Sequence, residues 1–155
     1  MRNDRSAGPV MFAYDGSTQA REAIRQAGRQ LRNGRRAIVL TVWEPFAAQP
    51  FVGAPMVPPV GVGDGLKREA QRVADEGAGL ARAAGFDAEP IAEQGDPIWQ
   101  RIVDSADEHG ASIIAMGSHG RSGIELMLLG SVAAAVARHT ARPILIAHDG
   151  SEEPS

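Results

Sequence analysis

The sequence predicts an α/β fold built on a doubly wound parallel sheet. Residues 10–14 and 37–43 are continuous apolar runs, which are typical of central parallel strands that helices cover on both faces. Helical spacing of apolar residues follows each run, and the alternation continues along the chain. Because crossovers between parallel strands are right-handed, this alternation favours a Rossmann-like, five-stranded sheet with helices on both faces.

The composition suits a single domain of 155 residues with a core at about residues 9–148. Hydrophobic residues make up 43% of the chain and the formal net charge is -3, so we expect a sizeable core and neither nucleic acid nor a membrane as partner. The absence of cysteine excludes disulfides and thiolate metal sites. The polar start lacks the apolar segment of a signal peptide, and no apolar run reaches the roughly 20 residues that span a bilayer. We therefore expect a cytoplasmic protein.

One helix is predicted after each of the first two strands. Helix one ends at Asn33 and Gly34, and its apolar positions are Ala20, Ala23, Ile24, Ala27 and Leu31. Residues 46–65 are rich in proline and glycine and predict a long loop: a lid, a binding loop or a disordered segment. Helix two is predicted at residues 64–84, weakened by Gly77 and Gly79. Its apolar stripe is Leu66, Ala70, Val73, Leu80 and Ala84.

An edge strand and a third helix come next. Pro90 cannot donate to a sheet ladder on one side, so residues 87–93 are predicted to lie at a sheet edge. Asp96 is predicted to cap helix three, with Pro97 in its first turn. The helix ends at Gly110, and its inward positions are Trp99, Ile102, Val103 and Ala106.

Two further strands and a helix complete the predicted fold. The apolar run at residues 111–116 is strand four, and helix four spans about residues 131–139. Strand five begins at Pro143 and ends at Ala147.

A glycine-rich segment links strand four to helix four. Gly117 and Gly120 follow the strand, and Gly130 and Ser131 come after nine further residues. Glycines can adopt positive φ and let a phosphate oxygen approach backbone N–H groups without a Cβ in the way, and the start of the next helix favours an anion. Taken alone, however, a Gly-x-x-Gly segment more often makes only a turn and a helix cap.

The wider pattern, Gly-x2-Gly-x9-Gly-Ser, resembles the nucleotide-binding signature of the universal stress protein family. Residues 116–123, 130–134 and 142–146 also resemble that family. The resemblance covers residues 9–148 and implies the strand order 3-2-1-4-5, which agrees with the edge position of Pro90. Strands one and four then meet at the switch point where doubly wound sheets bind their ligands.

The resemblance implies a site for ATP between strands one and four. Asp15 would face the nucleoside, although an aspartate between a strand and a helix is often just a cap, and backbone groups near Val42 would meet the adenine. The implied contacts of the glycine-rich segment are Gly117, Ser118, His119, Gly120, Arg121, Gly130, Ser131 and Val132. Two alternatives stay open: Arg121 can equally point to solvent, and His119 is more often a solvated loop histidine than a catalytic base.

No catalytic residue and no metal-binding side chain are predicted. The single lysine, Lys67, is not in a Walker loop, and no two histidines form an i, i+4 pair, so Mg²⁺ would enter with the triphosphate. We expect an ATP-dependent sensor or switch in the stress response. The alternatives are a slow ATPase or self-phosphorylating protein, with Ser118, Ser122 or Ser131 as acceptors, and a module that binds AMP or a cyclic nucleotide.

Strand five predicts a homodimer. The strand is apolar throughout, yet the implied order places it at a sheet edge with only Pro143, at its start, to hinder pairing. Two copies would pair antiparallel across a two-fold axis, an arrangement that the family's dimers resemble. The alternative is that the N-terminal segment or the acidic tail covers this edge.

Overall fold

The computed structural model describes residues 8–45, 60–119 and 129–148. In these ranges five strands alternate with four helices: β1 (Val10–Ala13), α1 (Thr18–Gln30), β2 (Arg36–Trp43), α2 (Val62–Ala83), β3 (Asp87–Gln94), α3 (Ile98–Glu108), β4 (Ile113–Gly117), α4 (Ser131–His139) and β5 (Ile144–Ala147).

The strands form one parallel sheet in the order β3-β2-β1-β4-β5, which confirms the predicted fold class and strand order. Side chains alternate between its two faces. Phe12 and Tyr14 pack towards α1 and α2, whereas Met11 packs towards α3 and α4. Helices cover both faces of the central strands, which explains why β1 is apolar at every position.

The end of α3 shows why strand four is shorter than predicted. Gly110 has a φ of 62°, and the N–H group of Ala111 turns back to the carbonyl of Ala106 at 2.9 Å. This is a Schellman ending, in which the residue after the glycine still bonds to the helix. Ala111 therefore belongs to the helix end, and β4 begins at Ile113.

The predicted cap of α3 is wrong. Pro97, not Asp96, is the N-cap residue, with an extended ψ of 157°, and no side chain caps the helix. The Asp96–Pro97 peptide bond is cis. Asp96 thus lies one residue before the position from which a carboxylate reaches the first free N–H groups.

The structure also corrects the start and the buried face of α2. The helix begins at Val62, inside the segment predicted as a loop, and Leu80 of the predicted stripe is 38% exposed. Ala70 and Val73 of the predicted stripe are buried, and the other buried residues of the helix are small: Ala74, Gly77, Ala78 and Ala81. A Cβ on Gly77 would lie 2.6 Å from Cδ1 of Tyr14 and 2.7 Å from Cγ1 of Val39. Gly77 therefore brings α2 close to the sheet, a role that helix propensity alone did not predict.

The two outer strands are those that the sequence predicts. In β3, Pro90 is paired with Val39 of β2. At the other edge, β5 pairs with β4 and its residues Ile144, Leu145 and Ile146 are partly exposed. Among the helices of the described ranges, none combines the length and apolar character needed to cross a bilayer.

Candidate functional site

The sheet register places three of the predicted site residues at one level. Ala13, Leu40 and Met116 are partners across β2, β1 and β4. Two residues further along each chain come Asp15, Val42 and Ser118. Asp15 and Ser118 lie beyond the carboxyl ends of β1 and β4, where the two strands meet at the switch point. Val42 is still within β2, where it pairs with Glu93 of β3.

Hydrogen bonds fix the end of β1 at this level. The N–H group of Tyr14 donates to the carbonyl of Leu40 at 2.9 Å, and the hydroxyl of buried Thr41 donates to the carbonyl of Tyr14 at 2.8 Å. The chain therefore leaves the sheet at a defined point, immediately before Asp15.

Asp15 helps to form the turn into α1. One of its carboxylate oxygens accepts the N–H group of Ser17 at 2.9 Å, and Gly16 between them has a φ of 81°. Ser17 is the N-cap of α1, and its hydroxyl accepts the N–H group of Ala20 at 3.1 Å. The helix cap is therefore Ser17 rather than Asp15, and Asp15 stabilises the turn that precedes it. Its side chain is also exposed, which leaves it accessible to a ligand.

Gly117 is required for helix packing. A Cβ on this residue would lie 2.6 Å from Cβ of Gln19 and 2.8 Å from the backbone nitrogen of Ala20. Gly117 is the last residue of β4, and it is not among the glycines with positive φ in the described ranges. The predicted reason for this glycine, positive φ beside a phosphate, is therefore wrong for Gly117: its hydrogen side chain lets α1 begin directly above β4.

Hydrogen bonds hold the two residues after β4, Ser118 and His119, beside Gly130 at the start of α4, and these three residues form a compact corner. Ser118 is buried, and its N–H group donates to the carbonyl of Ala147 at 2.8 Å. Its carbonyl accepts the N–H group of Gly130 at 2.7 Å, and a Cβ on Gly130 would lie 3.1 Å from that carbonyl oxygen. The start of α4 is thereby fixed beside the end of β4, as a shared ligand site requires.

His119 lies in this corner and differs from the predicted solvated histidine. Its Nδ1 is 3.1 Å from the hydroxyl of Ser118, and its Nε2 is buried with no hydrogen-bond partner among the residues that the structure describes. Burial of an unpaired ring nitrogen is unfavourable unless a ligand or water supplies the partner. Two other predicted contacts, Gly120 and Arg121, lie outside the described residues.

The N-terminus of α4 faces the same corner. Gly130 is its N-cap and has no side chain to cap the helix, and the carbonyl of Gly130 accepts its bond from Ala134 at 2.9 Å. The N–H groups of the first turn, those of Ser131, Val132 and Ala133, have no partner inside an α-helix. Together with the helix dipole they form an environment suited to an anion. Ser131 is exposed and Val132 is partly buried.

Tyr14 is a residue beside the site that the sequence analysis missed. Its hydroxyl donates to Glu76 of α2 at 2.6 Å, and Arg21 of α1 donates to that same carboxylate at 2.8 Å. Burial, and then the hydrogen bond to Glu76, raise the pKa of Tyr14; the hydrogen bond from Tyr14, and then that from Arg21, lower the pKa of Glu76. The signal was a polar-tipped residue closing an apolar run, which needs a partner when buried.

A second group of polar side chains, at the far edge of the sheet, has the spacing of metal ligands. Glu93, Glu108 and His109 bring ligand atoms within 4.8 Å of one another. Arg101 already forms ion pairs with both carboxylates, at 2.8 Å to Glu93 and 2.6 Å to Glu108. A guanidinium at this position supplies the positive charge that a metal ion would otherwise bring, so the group is an ion-pair network.

The fold defines a Rossmann-like protein, and this corner is a candidate ligand site at the switch point of its sheet. The model of the universal stress protein family matches residues 7–153, and the chain belongs to that family. Among curated relatives, universal stress protein YxiE of Bacillus subtilis (strain 168) is 36% identical over 81 residues, which is 52% of this chain and 54% of YxiE. The chain thus spans about half the length of this relative.

Solved structures share the whole fold. The hypothetical protein MJ0577 superposes with a TM-score of 0.71 at 23% identity, covering 96% of this chain and 98% of that one. A universal stress protein solved in complex with cAMP is 28% identical with a TM-score of 0.64, covering 92% of this chain and 97% of its own. The first comparison bears on the fold alone, and the second adds that a relative with this fold binds a nucleotide.

Proposed function

We propose that this protein binds ATP at the carboxyl ends of β1 and β4 and acts as a nucleotide-dependent sensor or switch in the stress response. The observation that carries the proposal is the first turn of α4, whose N–H groups have no partner within the helix and which the 2.7 Å bond from the N–H of Gly130 to the carbonyl of Ser118 holds at the switch point. A helix N-terminus at this point of a doubly wound sheet is where such folds bind phosphate groups. The relative solved with cAMP supports a nucleotide as the ligand class.

The site residues take distinct roles in this proposal. Asp15, exposed beyond β1, meets the ribose, and backbone groups at Val42 meet the adenine. The N–H groups of Ser131 and Val132 and the hydroxyl of Ser131 hold the phosphates. Gly117 and Gly130 let α1 and α4 begin close to the end of β4, which forms the floor of the proposed site, because a Cβ on either would meet protein atoms within 3.1 Å.

Further phosphate contacts are proposed for the residues around this floor. The buried Nε2 of His119, which has no hydrogen-bond partner in the described part of the chain, donates to a phosphate oxygen, and the contact of Nδ1 with the hydroxyl of Ser118 orients the ring. Gly120 and Arg121 complete the phosphate contacts. Mg²⁺ is bound through the phosphate oxygens, so the site needs no carboxylate cage.

The test is the identity of the nucleotide that co-purifies, followed by calorimetric titration of nucleotide-free protein. ATP with Mg²⁺ should bind more tightly than AMP or cAMP, since only a triphosphate uses the full set of donors at α4. Tighter binding of AMP or cAMP would favour the alternative of a mononucleotide-binding module. Failure of all three nucleotides to bind would overturn the proposal.

Among the possible acceptors of a phosphoryl group, the structure separates two serines. The hydroxyl of Ser118 belongs to a residue that is only 2% exposed, whereas Ser131 is exposed at the start of α4. If the protein phosphorylates itself, Ser131 is therefore the better placed of the two. Mass spectrometry of protein incubated with ATP and Mg²⁺ tests this alternative directly.

We also propose a homodimer through β5. The strand is an outer one, and its apolar residues Ile144, Leu145 and Ile146 are partly exposed. An apolar edge of this kind tends to pair with another chain. Antiparallel pairing of two β5 strands would continue the sheet across a two-fold axis. Sedimentation at micromolar concentration tests it, and a monomer there would contradict it.

A further inference from the structure

A groove between α1 and α2 lies on the outside of the molecule, away from the proposed nucleotide site. Its volume is about 220 Å³, and it is lined by Arg21, Ile24, Arg25, Leu80, Ala83 and Ala84. The apolar lining includes Leu80, whose side chain the sequence predicted to be buried and which is 38% exposed. The small side chains of Ala83 and Ala84 keep the groove open, and Gly79 beside them has no atom within 4 Å of its missing Cβ.

The wall formed by α1 is basic. Arg21 and Arg25 line the groove, Arg29 follows them in the last turn of α1, and Arg32 comes just after the end of the helix. Two carboxylates offset part of this charge: Glu76 pairs with Arg21 at 2.8 Å, and Glu22 pairs with Arg25 at 3.0 Å. The two arginines that line the groove are thus paired, and Arg29 and Arg32 add two further positive charges on this side of the molecule, in a chain whose net charge is -3.

We propose that this groove is a docking site for an acidic, amphipathic segment of a partner protein. Its volume is below the roughly 300–1,000 Å³ of pockets that enclose small molecules, so it suits one or two apolar side chains rather than a whole ligand. In this arrangement an apolar side chain of the partner packs on Leu80, and carboxylates of the partner pair with the arginines of α1. Amphipathic helices bind apolar grooves of other proteins in the same way.

The charge pattern also selects between occupants. A second copy of this chain placed symmetrically on the groove would bring the arginines of both α1 helices together, and like charges in an interface are costly. An acidic partner meets the same arginines with opposite charge. Because Arg25 remains 66% exposed in its pair with Glu22, its guanidinium keeps donors for a partner's carboxylates.

The probe for the test is a synthetic helical peptide with two leucines four residues apart and glutamates on both sides of them. It is titrated into isotopically labelled full-length protein and followed by amide chemical shifts. Shifts should concentrate at Ile24, Arg25, Leu80 and Ala83. A matched peptide with the leucines replaced by serine, and another with the glutamates replaced by lysine, should each bind at least about tenfold more weakly, since each lacks one half of the complementarity.

Variants of the protein separate docking from general charge attraction. Arg25→Glu and Leu80→Glu should each weaken peptide binding by roughly tenfold or more. The control is Arg68→Glu, which makes the same charge change at an exposed position of α2 away from the groove and should change the peptide affinity little. Thermal unfolding checks that all three variants fold. Because the groove lies away from the nucleotide site, ATP affinity serves as an independent readout and should be unaffected.

Three results would overturn the proposal. The first is an equal loss of binding in Arg68→Glu, and the second is a set of shifts centred elsewhere or the absence of binding at millimolar peptide. The third is tighter binding to vesicles that contain phosphatidylserine, with the same dependence on Leu80, which would assign the groove to a membrane surface.

Discussion

Two glycines of α2, two residues apart, should respond to alanine with opposite signs. Alanine is better than glycine inside a helix by about 0.8–1.0 kcal/mol. At Gly79, a Cβ would meet no atom of the described residues within 4 Å, so Gly79→Ala should gain most of that amount. At Gly77, a Cβ would lie 2.6 Å from the ring of Tyr14 and 2.7 Å from Val39.

The atoms that crowd Gly77 have little room to move. Val39 is fully buried in the central part of the sheet, and the hydroxyl of Tyr14 is bonded to Glu76, the residue just before Gly77. Overpacking of a core costs about 1–3 kcal/mol, and three contacts below 3.0 Å place this site in the upper part of that range. After the gain in helix propensity, Gly77→Ala should be destabilising by about 1–2 kcal/mol.

Urea and thermal unfolding of both variants, at equal nucleotide concentration, measure the difference. For a chain of this length, about 1 kcal/mol corresponds to a change of about 2–4 °C in Tm. Gly79→Ala should therefore raise Tm by a few degrees, and Gly77→Ala should lower it by about 2–8 °C. If both variants were stabilised alike, the close packing of α2 against Tyr14 and Val39 would be refuted.

Four further predictions concern the site, the dimer and pH. Gly120→Val should abolish ATP binding while the protein stays folded. Ser131→Ala should weaken ATP binding by roughly 1–3 kcal/mol, the value of one hydrogen bond to a charged group. Unchanged ATP affinity of the Gly120 variant in calorimetry would contradict the proposed site. ATP turnover should stay well below the roughly 1–100 per second of kinases, and steady turnover in that range by rigorously purified protein would favour an enzyme. Leu145→Pro removes a backbone donor from β5, so sedimentation should show loss of the dimer; a dimer that persists would place the interface elsewhere. The pKa of Tyr14 is raised in the folded protein, so the unfolded chain loses the phenolic proton at lower pH than the folded one. The stability of the folded state should therefore fall as pH rises above about 10. Tyr14 is the only tyrosine of the sequence, so an ultraviolet titration reports its pKa alone. A titration midpoint at or below about 10 would argue against its hydrogen bond to Glu76. Tyr14→Phe should reduce the loss of stability at alkaline pH.

The sequence by itself determined the order of elements and most of the architecture. Apolar runs such as residues 10–14 have no polar face and are too short for a typical helix, which favours strands covered on both sides. Pro90 correctly marked β3 as an edge strand, because a proline lacks the N–H group that a ladder needs on one side. The level shared by Asp15 and Ser118 then follows from the strand order, since parallel neighbours end at the same edge of the sheet.

Local pattern was less informative where a residue's role depends on what approaches it. Helical spacing placed Leu80 on the buried stripe of α2, but the helix packs through its smallest residues and leaves Leu80 38% exposed. Hydrophobicity identifies a candidate face, while the closeness of approach selects which edge of that face touches the sheet.

Only the tertiary structure decided the roles of the glycines and of the buried polar groups. Glycine at positions 77 and 117 looked like a helix breaker and a phosphate contact, yet a Cβ at either would meet another element at 2.6 Å. Tyr14 and Glu76 are 62 residues apart in the chain, and no local signal joins them. Such roles are set by contacts between elements that are distant in sequence, and these contacts exist only once the helices have packed on the sheet.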